Sequence, residues 1–264
     1  MNKILLLIAV AGLLLSGCAA PEQEAVNQND SSVPLNRTEE LQDGTGNYTS
    51  ETENEPGESM PAPQEEGQDA DVLVLGRSVA YGWLDGYMGL PWECFDEECH
   101  NGTLAGEYRG YHFTYHELDI PPAIADSAGD GMDRYGAETV FFKLCFADFE
   151  PDESGANAER NKGYVQEVYE DAVAGRNRKL IVGNALPKVS EQTDSALVSN
   201  HKVYNAWLDD FAATREGIGV LDLYGILADG NGSLKAEYAL GPHDSHLSNE
   251  AYAAITPEFL ELLE

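Results

Sequence analysis

Positive charge is what this sequence has least of. Its 264 residues carry 15 Lys and Arg against 47 Asp and Glu, a formal net charge of −32. A field of that sign repels phosphate backbones and anionic surfaces, so it excludes nucleic acid as a partner and makes neutral substrates easier to bind than polyanions. Cysteine is scarce too, with four residues in the whole chain, which excludes the disulfide-dense scaffolds of small secreted proteins. Long apolar runs are also missing. The longest, Ile4 to Leu15, is shorter than the roughly 20 residues that a spanning helix requires.

What is present divides the chain into three. Met1-Asn2-Lys3 followed by the apolar run and Leu15-Ser16-Gly17-Cys18 has the charged start, short apolar centre and small-residue cleavage site of an export signal. Leu-Ser-Gly-Cys resembles a lipobox, which predicts a signal peptide over residues 1–18 and lipidation at Cys18. The protein is then expected outside the cytoplasm in the cell envelope, held to a membrane by that lipid. Residues 19–70 carry 13 acidic residues against the single Arg37, with no periodic apolar pattern, and read as a disordered acidic tether. The hydrophobic content of 42% and the three Trp therefore concentrate in residues 71–264, enough for one folded domain with a good core.

Asp71-Val-Leu-Val-Leu75 is an apolar run closed by Gly76-Arg77-Ser78, the pattern of a buried parallel strand turning into a helix. A helix is predicted from Val79 to Met88, then an irregular insertion from Leu90 to Thr103. An aromatic strand follows from Glu107 to Leu118, and a helix from about Ala123 to Tyr135. Thr139 to Phe146 reads as a second buried strand, Glu150 to Gly163 as a polar loop and Tyr164 to Ala174 as a helix. Lys179 to Ala185 is a further strand, and His201 to Thr214 a helix with Val203, Trp207, Leu208 and Phe211 on one face. Gly219 to Leu223 is expected to be the last strand and Leu247 to Leu263 the last helix. Strands alternating with helices imply a mostly parallel sheet covered on both faces, an α/β fold of three layers, α/β/α.

Ser78 stands where open α/β sheets bind ligands, at the carboxyl end of the first strand. A serine nucleophile needs an imidazole to take its proton, and the imidazole needs an acceptor on its other nitrogen. Gly241-Pro-His243-Asp244-Ser245-His246-Leu247, just before the last helix, supplies both residue types. Together the Gly-Arg-Ser and Asp-Ser-His-Leu blocks resemble the two ends of an SGNH hydrolase, a GDSL-type esterase, over residues 71–264. The resemblance implies a three-layer, flavodoxin-like fold and a serine esterase acting on short acyl esters of small molecules or glycans, without metal or cofactor. Alternatives on the same fold are an acyltransferase and a glycan-binding module without catalysis.

In that family an Asp precedes the serine, where this chain has Arg77. An Asp three residues before the histidine orients it, whereas here that position is His243 and Asp244 lies two before. Ser78 and His246 are therefore the expected nucleophile and base, with Asp244 or His243 as orienting partner. Family members draw oxyanion donors from the serine N–H and from a Gly-x-Asn-Asp block. The matching stretch is Cys145-Phe146-Ala147-Asp148, with Ala147 in place of the Asn. Gly76, Arg77, Asn184 and Asp148 are the candidates for lining the oxyanion and substrate site. Lys143, on an apolar strand, is expected to reach the edge or to pair with Asp148. Cys94 and Cys99, followed by His112 and His116, have zinc-finger spacing, but an exported chain favours a Cys94–Cys99 disulfide.

Overall fold

This computed structural model describes residues 69–95 and 102–264, so residues 1–68, with Cys18 and all but the last two residues of the predicted tether, and Cys99 lie outside the described residues. The first strand, β1, spans Asp69–Gly76 and so begins two residues before the predicted domain start. Then come α1 (Ser78–Gly82), continued by a π turn through Tyr87, and β2 (Trp92–Cys94), β3 (Gly102–Tyr108) and β4 (Tyr111–Glu117). The helix α2 (Ile124–Arg134) leads to β5 (Gly136–Lys143), α3 (Ala156–Tyr169) and β6 (Lys179–Gly183). After α4 (Ser195–Ala213), β7 (Ile218–Leu221) and α5 (Leu223–Leu227), a hairpin of β8 (Ala239–Gly241) and β9 (Asp244–Leu247) precedes α6 (Asn249–Leu263).

The apolar runs are unbroken because the sheet is covered twice. Along β1, Leu73 and Leu75 enter one core while Val72 and Val74 enter the other. Val140 and Phe142 of β5 face the first core and Phe141 the second; Leu180 and Val182 of β6 repeat the division against Ile181. Residues of α2, α3 and α4 complete the first core, and residues of α1, α5 and α6 the second, giving the three α/β/α layers.

The sheet order is β2-β3-β4-β1-β5-β6-β7, with β4, β1, β5, β6 and β7 parallel and β3 and β2 antiparallel at one edge. From β1 the chain moves to one side to form β4 and later to the other to form β5. The loops after β1 and β5 therefore diverge and open a crevice between them, the switch point at which such sheets bind ligands.

Several local expectations change. The insertion after Leu90 contains β2 and the first two residues of β3, and the predicted single aromatic strand belongs to a hairpin turning at Arg109 and Gly110, both with positive φ (54° and 91°). Arginine seldom adopts that conformation, so the turn carries none of the usual Asn-Gly signal. The loop predicted at Glu150 to Gly163 is helical from Ala156, because the polar residues there include a buried pair. Asn157 and Asn161 both donate to the Asp148 carbonyl, at 2.9 and 3.1 Å. In α4, which starts at Ser195 under an Asp194 cap, the buried stripe is Leu197, His201, Tyr204, Leu208 and Phe211, while Val203 is 49% exposed.

Helix α6 locks against α1. The Trp83 indole N–H donates to Thr256 Oγ1 at 2.9 Å, the Tyr252 hydroxyl donates to the Val79 carbonyl at 3.0 Å, and Phe259 lies between Trp83 and Phe141. The two ends of the folded chain are thereby brought side by side.

Candidate active site

The β9 strand is fixed through its inward face. Ser245 Oγ accepts the Val189 N–H at 3.0 Å and donates to Gln192 Oε1 at 2.8 Å, and Leu247 is buried. Alternation then turns Asp244 and His246 to the opposite face together. Asp244 Oδ1 accepts the His246 backbone N–H at 2.9 Å and lies 2.6 Å from the ring Nδ1. These two bonds hold the Asp244 carboxyl below the ordinary carboxylate range, the backbone bond contributing most. On its other side the imidazole places Nε2 3.0 Å from Ser78 Oγ. Phe146 stands edge-on to the ring, with centroids 5.1 Å apart.

Ser78 opens α1 and is exposed at the mouth of the crevice. Gly76 permits this abrupt entry, since a Cβ there would meet Ala80 Cβ at 2.6 Å. Its carbonyl accepts the Leu118 N–H at 2.9 Å and the Tyr115 hydroxyl at 3.1 Å. The Arg77 guanidinium pairs with Asp148 Oδ1, and Asp148 Oδ2 accepts the Cys145 N–H at 2.7 Å. Arg77 and Asp148 thus clamp the loops after β1 and β5 to each other.

Solved structures share this architecture. A GDSL-like lipase from Bacteroides thetaiotaomicron VPI-5482 aligns with a TM-score of 0.55 at 14% identity, over 77% of this chain and 91% of that one. A candidate acylhydrolase from Bacteroides fragilis NCTC 9343 gives 0.51 at 15% identity, over 78% and 93%. A candidate lipolytic protein of the G-D-S-L family from Desulfitobacterium hafniense DCB-2 gives 0.50 at 13%, over 75% and 100%. This chain has the SGNH hydrolase fold. No protein-family model and no curated protein matches the sequence.

The remaining candidate residues occupy other positions in this SGNH fold. His243 points away from His246: its Nδ1 pairs with Glu191 Oε2 and its carbonyl accepts from Gln192 at 2.9 Å. Asn184 lies at the end of β6, but its amide is occupied, donating to Asp222 Oδ1 at 2.7 Å and accepting the Tyr224 N–H at 2.8 Å. These two bonds brace the ends of β6 and β7. Gly76 and Asp148 likewise have their polar groups engaged in the framework, and the Arg77 charge is directed at Asp148. Lys143 neither reaches the edge nor takes Asp148. It is 2% exposed, its ammonium 3.4 Å from the Leu144 carbonyl, and burial pushes it down to about 8.

Of the cysteines, Cys145 is free and buried. Cys94 is in a disulfide, and Cys99, the partner that the spacing predicts, lies outside the described residues. His116 Nε2 is 3.0 Å from the Ser127 carbonyl, and burial lowers its pKa.

Sequence reasoning passed over one feature of this face, a cavity of about 470 Å³ lined by residues that include Tyr81, Trp92, Tyr115, Glu117 and Arg134. Tyr81 follows Ser78 by three residues on one helix turn, which is the signal that was available. Two hollows of about 570 and 480 Å³ flank the start of α4, and none of the three is lined by Ser78 or His246.

Proposed function

We propose that this domain is a serine esterase that hydrolyses short acyl esters of neutral alcohols through an acyl-Ser78 intermediate. The observation that carries the reading is the continuous chain from Ser78 Oγ to His246 Nε2 at 3.0 Å and from Nδ1 to Asp244 Oδ1 at 2.6 Å. Nucleophile, base and orienting carboxylate are in register, each within hydrogen-bond reach of the next. Ser78 Oγ attacks the ester carbonyl as its proton passes to Nε2. That proton then goes to the departing alcohol oxygen, leaving the acyl group esterified to Ser78. Water attacks the acyl-serine, His246 taking its proton, and the carboxylic acid leaves as the serine is restored. Asp244 keeps the remaining proton on Nδ1 and stabilises the imidazolium in both halves. The backbone N–H of Ser78 is the proposed donor to the oxyanion, and no side-chain amide accompanies it at Ala147.

Two observations support the choice of ester. A net charge of −32 favours neutral substrates. The side chains of Arg77, which precedes Ser78, and of His246, within hydrogen-bond reach of it, are polar, which favours a short acyl group over a long apolar chain. The Leu15-Ser-Gly-Cys18 block supports export and anchoring at a membrane through a lipid on Cys18.

The deciding experiment is the intact mass of the full chain after treatment with a fluorophosphonate, beside Ser78→Ala and His246→Ala. A single adduct on the unchanged protein, absent from both variants, is expected. A folded protein that takes no adduct would overturn the esterase and leave a glycan-binding module.

A further inference from the structure

We propose that the cavity formed by Trp92 and Tyr81 is a binding subsite for a neutral sugar ring, the alcohol part of the ester that Ser78 cleaves. The inference deepens the esterase reading and rests on it only for the direction of the substrate. The cavity itself stands on separate observations.

Exposed aromatics are the first of these. Trp92 is 51% exposed and Tyr81 39%, though large aromatic side chains are those a fold gains most by burying. Neither is loosely held. The Trp92 indole lies on the backbone of Gly102, where an added Cβ would stand 2.4 Å from Nε1 and 2.8 Å from Cε2. The absence of a side chain at residue 102 therefore makes the seat for that ring. Tyr81 stands edge-on to Tyr115, with centroids 5.9 Å apart at 75°, and the Tyr115 hydroxyl is tied to the Gly76 carbonyl. Both rings are thus oriented before any ligand arrives, which lowers the entropic cost of binding.

The second observation is position. Tyr81 is one helical turn beyond Ser78, and Glu117 pairs in register with Gly76, two residues before it. Ser78 does not itself line the cavity, which adjoins the segment that carries it, and the volume of about 470 Å³ lies in the range of small-molecule sites.

The third is chemistry. Aromatic faces carry negative potential and attract polarised C–H groups, which a pyranose presents on its faces while its hydroxyls project around the rim. At the rim here, the Glu117 carboxylate accepts from hydroxyls. The Arg134 guanidinium, 4.7 Å from the centroid of the Phe95 ring and 5.7 Å from that of Tyr135, belongs to the same lining. A purely apolar ligand would leave the Glu117 carboxylate desolvated and unmatched, and a polyanion would enter against the field of the whole chain.

The test is titration calorimetry of the full chain carrying Ser78→Ala with xylohexaose, cellohexaose and chitohexaose, and with hexagalacturonate as the charged comparator. At least one neutral hexamer is expected to bind. Adding Trp92→Ala should weaken it by about tenfold or more, while Trp92→Phe, which keeps an aromatic face, retains most of the affinity. Thermal melting establishes that each variant is folded. The proposal is overturned if no neutral hexamer binds up to about 10 mM, if Trp92→Ala binds as before, or if hexagalacturonate binds more tightly. Because Ser78→Ala has no nucleophile, the outcome is independent of catalysis. Binding without fluorophosphonate labelling removes the esterase and leaves the subsite, and labelling without binding removes only the subsite.

Discussion

Asp244 and His246 lie on one face of β9, two residues apart, with Asp244 Oδ1 2.6 Å from the ring Nδ1. The family pattern places the acid three residues before the histidine, where this chain has His243. A strand has a period of two, so a spacing of two sets both side chains on the same side. His243 falls on the other side and pairs with Glu191. Asp244→Ala should therefore lower kcat for p-nitrophenyl acetate by about 10² to 10⁴-fold, while His243→Ala leaves it unchanged. Equal losses in the two variants would show that the carboxylate does not orient the base.

The Arg77–Asp148 pair poses a question of stability. Asp148 is 2% exposed and Arg77 15%, so removing the guanidinium leaves a buried carboxylate with the Cys145 N–H as its remaining close partner. Loss of one partner of a buried pair costs about 3 kcal/mol. Urea unfolding of Arg77→Met should show a loss of that order, and Arg77→Met combined with Asp148→Asn should recover much of it. If the double variant is as unstable as the sum of the single ones, the two residues are not coupled.

Legibility in the sequence followed periodicity. The buried strands β1, β5 and β6 were readable because each is short, apolar on both faces and closed by a turn. Ser78 and His246 were readable because each borders such a landmark. The start of α3 was not, because its buried face is built from Asn157 and Asn161, whose task is to hold the Asp148 carbonyl, and polar residues in sequence look like loop. The β3–β4 turn was hidden by an arginine in a conformation that arginine rarely takes. Asn184 looked like a donor on the rim because sequence places a residue at a strand end but not its hydrogen bonds. Asp222 and the Tyr224 N–H, which occupy it, come 38 and 40 residues later.

His201 gives the fold a sensitivity to acid. Its ring is fully buried between Phe149 and Tyr224, and neither ring nitrogen has a hydrogen-bond partner among the described residues. Burial first, and the charge of Lys188 second, push its pKa down to about 3. An unfolded imidazole protonates near 6.5, so between about pH 6.5 and 3 the unfolded chain holds a proton that the folded one refuses. Stability should fall as pH falls through that window, by about 1 kcal/mol per pH unit from this group. His201→Phe fills the same space without a titrating ring. Urea midpoints for the two proteins should be close at pH 7.5 and diverge in favour of His201→Phe at pH 4.5. A constant difference at both values would show that His201 titrates alike in the folded and unfolded states.

At Ala147 the site lacks the side-chain amide that the family resemblance implies. It is exposed in the turn Phe146–Asp148, between the ring that stands against His246 and the carboxylate that holds Arg77. An asparagine there would present an amide beside the crevice without displacing buried atoms, so Ala147→Asn should change the melting temperature little. A single well-placed oxyanion donor is worth about 10² in kcat, because it meets charge that exists only in the transition state. The variant is therefore expected to raise kcat on p-nitrophenyl acetate by about tenfold or more, with KM nearly unchanged. A fall in KM with kcat unchanged would mean that the amide binds the ground state. No change in either would mean that the oxyanion forms out of reach of residue 147, and that this chain stabilises it by backbone donors alone.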